Sequence, residues 1–96
     1  MAYLSITRIV GDVDALAGGY LETEPVMTSV GRDHGLLVHA AGRADDGLVV
    51  VNLWPSPDGS KRAARDTRRA GVIQQHGLRP EQFRREHFDT IRYVVF

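Results

Sequence analysis

Ninety-six residues, 43% of them hydrophobic and 25% charged with no net charge, suit one domain (residues 1–96) with a single core, small enough that covering a further face in an oligomer would add to its stability. The absence of cysteine rules out disulfides, thiolate nucleophiles and cysteine metal sites, and no apolar run reaches the length of a membrane span. The opening MAYLSITRIVGDVD has no basic region followed by an apolar run, so the expected location is cytoplasmic. The charge is unevenly spread. Up to Ser60 three arginines oppose eight acids for a net −5, and from Lys61 onward nine bases oppose four acids for a net +5. Such asymmetry steers anionic ligands or docks a complementary subunit, although a solvated surface is its commonest meaning.

Residues 3–10 are rich in β-branched side chains and alternate Leu4, Ile6 and Val10 against Tyr3, Ser5 and Thr7, the pattern of a strand. Asp12 then offers a helix cap, and Val13, Leu16, Ala17, Tyr20 and Leu21 form one apolar stripe at helical spacing. Gly18 and Gly19 within that helix mark a frayed end or the close approach of another group, and Pro25 is expected to break or restart it. Residues 35–42 form a second strand, joined by an Asp-Gly turn signal to the third, Gly47-Leu-Val-Val-Val-Asn-Leu-Trp54. Ser56 before Pro57 predicts the start of a second helix running toward Ile73 and ending by Gly77. Residues 83–96 hold the last strand, with its clearest part at Thr90-Ile-Arg-Tyr-Val-Val-Phe96.

Strand, helix, strand, strand, helix, strand is the ferredoxin-like βαββαβ arrangement: an α+β fold with a four-stranded antiparallel sheet and its helices on one face. In the third strand Val49, Val51 and Leu53 point one way while Val50, Asn52 and Trp54 point the other. The aliphatic side would be bare in a monomer, which predicts a homodimer with two sheets face to face.

The block GLLVHAAGRADDGLVVVNLWPSPD resembles the central part of small dimeric α+β barrel proteins of the antibiotic biosynthesis monooxygenase group, in which a Gly-Leu-φ-Val-His strand and an acidic Gly turn precede a strand ending in Trp-x-Ser. The match covers about residues 34–58. The resemblance implies a homodimer with a cavity between the helices and sheet of each subunit, and an activity on an aromatic or polyketide-like small molecule. Members include monooxygenases that use O₂ without metal or flavin, haem-degrading enzymes and proteins of no known activity, while related barrels cyclise or isomerise their substrates. It also implies cavity Asn and Trp, which Asn52 and Trp54 could supply. A haem-degrading set needs a His ligand, for which His76 is the candidate at a spacing from Trp54 that looks too long. Where relatives carry acidic and aromatic residues after the Ser, this chain reads Ser56-Pro-Asp-Gly-Ser60, consistent with a larger cavity or a shorter helix.

Asn52 combines a donor with an acceptor, as needed to orient a phenol or hold an enolate, and Trp54 offers a stacking face with one N–H. Against this, both could be structural, Asn52 satisfying backbone groups and Trp54 packing the core. His39 is the natural general base if hairpin pairing brings it beside Asn52, and Tyr20 on the helix stripe is a candidate cavity wall. Arg92 on the last strand could hold an anion. The histidines lack metal-ligand spacing, so no metal or other cofactor is expected. The basic run Lys61–Arg69 has no aromatic base-stacking platform in the central strand, which argues against nucleic acid. The reading is a cofactor-independent monooxygenase-like enzyme, with a cyclase or isomerase in the same cavity, or a non-catalytic ligand-binding or interaction dimer, as alternatives.

Overall fold

The computed structural model describes residues 2–96. Its elements are β1 (Tyr3–Val10), α1 (Val13–Asp33), β2 (Val38–Ala44), β3 (Gly47–Trp54), α2 (Pro57–Ala64), α3 (Thr67–Gln75), one 3-10 turn (Pro80–Gln82) and β4 (Phe83–Asp89). The strands form one antiparallel sheet in the order β2-β3-β1-β4, with the helices against one face, so the fold is the ferredoxin-like α+β arrangement.

Local chemistry explains most of the boundaries. Asp12 caps α1, its carboxylate accepting from the Ala15 amide at 2.8 Å. The helix then runs unbroken through Pro25, contrary to the expected break. The carbonyl deprived of a partner by Pro25 is that of Leu21, and both residues lie on the exposed side, where water can serve that oxygen. Leu21 is 71% exposed and drops out of the apolar stripe, whose inward line continues instead through Met27 and Val30. The β2–β3 turn is the pair Asp45-Asp46, with Ala44 opposite Gly47. Gly47 has φ +157°, and a Cβ there would land on the Ile9 carbonyl oxygen, so only glycine lets β3 begin against the end of β1.

The expected second helix is two. It stops at Arg65 because Asp66 starts a new one, accepting from the Arg68 amide at 3.0 Å. The same carboxylate receives Arg68 Nε at 3.0 Å and Nη2 at 2.8 Å and lies 2.9 Å from His34 Nε2, while Arg68 also reaches Asp33 at 3.0 Å. The end of α1 is thereby fastened to the start of α3. Hydrogen bonds from Arg68, and secondarily from His34, hold the Asp66 carboxyl well below the usual carboxylate range. A lowered carboxyl pKa stabilises the fold above its unfolded value and is lost as pH falls toward its folded value. Asp66→Asn keeps an oxygen for the cap but removes the negative charge that Arg68 and His34 bond to, and is therefore expected to lower Tm by about 3 °C at neutral pH. That deficit should shrink as thermal melts followed by circular dichroism are taken below about pH 4. A deficit that does not change with pH would refute the electrostatic account.

The last strand also differs from its expected position. Tyr3 pairs with Asp89, and the Thr90 amide makes one more bond to the Ala2 carbonyl at 2.9 Å. Beyond that point β1 offers no further partner among the described residues, so 91–96 leave the sheet despite their strand-like composition, with Ile91 98% exposed. The buried centre is Val30, Trp54 and Ala63, with Tyr3 and Leu36 packed on it. Gly59 lets α2 lie directly on the indole, since a Cβ at 59 would stand 3.0 Å from Trp54 Cε3 and overlap the His34 carbonyl.

Candidate active site

Alternation along the strands decides which side chains face the helices. Asn52 and Trp54 of β3 share that side with Tyr3 and Ser5 of β1, His39 of β2 and His87 of β4. They line a partly open cavity of about 560 Å³ whose other walls come from α1, α2 and α3, within the size range of small-molecule sites. Leu16, Met27, Val30, Leu48, Val72 and Ile73 make much of its wall apolar.

His39 and Asn52 are directly opposite in the β2–β3 register. Asn52 Oδ1 lies 2.6 Å from His39 Nδ1, and His39 Nε2 lies 2.5 Å from the Tyr20 hydroxyl. A carboxamide oxygen can only accept, so Nδ1 carries the proton and Nε2 accepts from Tyr20. The Tyr20 and His39 rings also stack, with centroids 5.9 Å apart and planes 20° from parallel. Burial, and then the nearby Glu24 carboxylate, raise the Tyr20 pKa, so the phenol stays protonated at neutral pH. Together they form a directional chain, Tyr20 to His39 to Asn52. His39 is exposed on edge strand β2, which sets this chain at the rim of the cavity.

Trp54 is both wall and core. It is only 4% exposed, and its indole N–H is buried with no hydrogen-bond partner. His76 also lines the cavity, at the C-terminal cap of α3. Its Nδ1 would be 3.3 Å from a Cβ at Gly19, so that glycine does admit a close neighbour, and its Nε2 is 3.9 Å from Glu22. Arg92 is elsewhere: it follows the end of β4, is exposed, and does not line the cavity. Among the described residues no group of three histidine or acidic side chains is placed to hold a metal ion.

Three cavity features were missed from the sequence. Tyr3 Oη and His87 Nδ1 lie 2.6 Å apart with their rings edge-on, a second tyrosine–histidine pair. Arg69 of α3 and Arg85 of β4 also reach the cavity. The available signal was the alternation of Phe83, Arg85 and His87. The stronger β-branched run at 90–96 masks it.

No family model and no curated protein matches this sequence. Solved structures do match its fold. A structure of Rv0793 from Mycobacterium tuberculosis superposes with TM-score 0.75 at 14% identity, covering 99% of this chain and 100% of that one. SnoaB, a cofactor-independent oxygenase from Streptomyces nogalater, gives TM-score 0.66 at 14% identity over 97% of this chain and 94% of its own. The monooxygenase ActVA-Orf6 of Streptomyces coelicolor, in complex with the ligand nanaomycin D, gives TM-score 0.70 at 16% identity over 98% and 90%. At these identities the likeness is one of architecture: the chain shares its fold with these structures and with others described as antibiotic biosynthesis monooxygenases.

Proposed function

We propose that the chain is a small cofactor-independent monooxygenase acting on an aromatic or polyketide-type molecule in the cavity between its helices and sheet. The observation that carries this reading is the hydrogen-bonded chain Tyr20–His39–Asn52 at the rim of a largely apolar cavity of about 560 Å³. Its polarity suits proton removal. A substrate hydroxyl or acidic C–H passes its proton to the Tyr20 oxygen as Tyr20 passes its own to His39 Nε2, and Asn52 Oδ1 stabilises the imidazolium through Nδ1–H. The substrate anion is electron-rich and flat, which Trp54 and the aliphatic wall accommodate.

Oxygen chemistry then needs only the substrate as reductant. The anion gives one electron to O₂, the radical and superoxide combine at carbon, and the peroxide takes a proton and loses water. An anthrone CH₂ thereby becomes a carbonyl: one oxygen atom enters the product and the other leaves as water. The test is oxygen uptake with an anthrone or hydroquinone, expected at one O₂ per anthrone consumed. Conversion of substrate under strict anoxia would refute the oxygenase and favour the cyclase or isomerase, which needs the same proton path without O₂.

The working unit is proposed to be a homodimer. The sheet face opposite the cavity bears Leu4, Ile6, Val49 and Val51, and Val38 and Phe88 beside them are exposed, as are Val94, Val95 and Phe96 of the tail. A second copy covers this face without requiring any other partner, because a two-fold contact matches the surface to itself. Sedimentation of the intact chain should give about twice the mass of one chain, and deletion of 91–96 should shift it toward the monomer; an intact chain that sediments as a monomer at micromolar concentration removes the dimer.

A further inference from the structure

The relay stands at one edge of the sheet and a cationic corner stands at the other. His39 is on β2 and Arg85 on β4, with β3 and β1 between them. Three strand spacings separate these edges, about 14 Å. Arg85 faces the cavity beside Thr7, its guanidinium 5.2 Å from the Phe83 ring, and Arg69 reaches the same cavity from α3. Neither side chain makes a hydrogen bond or ion pair among the described residues. The lining also includes Lys61, against a single carboxylate, Asp12, which is occupied in capping α1.

Arg69 is partly buried and Arg85 is exposed at the cavity edge; a partly buried arginine normally sits against a carboxylate, because desolvating an unpaired guanidinium is unfavourable. Burial does press on Arg69, with the like charge of Arg85 adding to it. The neighbouring arginine makes the contrast: Arg68 is engaged with Asp66 and Asp33, while the Arg69 side chain, one residue on, has no partner among the described residues. Two unpaired planar donors lining one side of the same cavity, one half-buried and one at its open edge, match a carboxylate better than a neutral group.

We infer that Arg69 and Arg85 form an anion subsite, so that the ligand of this cavity is a fused-ring molecule carrying a carboxylate on the side away from the relay. This rests on the cavity reading above and adds the class of substituent and its orientation. With the acid group held under β4, the opposite end of the ring system points toward Tyr20 and His39.

Titration calorimetry with anthracene-2-carboxylate and with its uncharged primary amide tests this. The acid should bind at least about tenfold more tightly than the amide at low salt, a preference that 1 M salt reduces because exposed charges are screened over short distances. Arg69→Met and Arg85→Met should each bring the two affinities toward equality, and Arg85→Lys should restore part of the preference; a circular dichroism spectrum like that of the parent verifies folding, and Arg69→Gln serves should the Met variant not fold. Equal or weaker binding of the acid, or a preference surviving in both Met variants, overturns the subsite. If the amide binds as well as the acid and oxygen uptake persists, only the subsite falls. If neither compound binds, the ligand cavity falls with it.

Discussion

Replacing His39 by Ala should slow oxygen-dependent turnover about 100- to 10,000-fold, the range for loss of a positioned general base. The side chain is exposed on an edge strand, so the same change should move Tm by little. Removing the imidazole leaves the Tyr20 hydroxyl with no acceptor for the proton it must hand on, and leaves Asn52 Oδ1 without its donor. Tyr20→Phe interrupts the same path one step earlier and is expected to have an effect of similar order. Combining the two should cost little more than either alone, because groups that act as one unit are not additive. The measurement is oxygen consumption by the single and double variants under saturating substrate. Full additivity would mean that the two residues work separately, and unaltered turnover in His39→Ala would take the relay out of the mechanism.

Trp54→Ala should act mainly on stability, by about 3–5 kcal/mol, the usual cost of deleting a buried large aromatic. Such a loss is a large share of what holds a small domain folded. The indole is packed with Val30, Ala63, Tyr3 and Leu36 and receives α2 through Gly59, so its removal opens a void between sheet and helices that those elements cannot easily collapse. Trp54→Phe should be much milder, because it keeps a ring in place and removes an N–H that has no partner in the first place. Urea unfolding of the two variants separates these cases. Equal loss in both would show that the indole N–H carries stability through a contact formed only in solution.

The chemistry of the central hairpin was legible because it depends on neighbours in sequence. Alternation in β3 sorted Asn52 and Trp54 from Val49, Val51 and Leu53, and the turn at Asp45-Asp46 set the register that puts His39 opposite Asn52. Asp12 marked the start of α1 for the same reason. What escaped depends on parts of the chain far apart. The bond from Tyr20 to His39 follows from how α1 lies across the sheet. The break at Asp66 reflects the competing pull of His34 and Arg68 on one carboxylate, where composition alone suggested continuing the helix. Residues 91–96 have the residues of a strand, yet pairing requires a neighbour, and among the described residues the β1–β4 ladder ends with the Thr90 amide on the Ala2 carbonyl. A strand centred on 90–96 singles out Arg92 as an anion contact and passes over Arg85, which the observed strand turns toward the cavity.

The two-residue repeat of β3 also bears on how such a protein can change over time. Codons 48, 50, 52 and 54 write the chamber, and codons 49, 51 and 53 write the opposite surface. The lining of the cavity and the character of the opposite face can therefore drift independently within seven consecutive positions. A lineage could remodel the hollow while keeping the outer face intact, or rewrite that face with the hollow untouched.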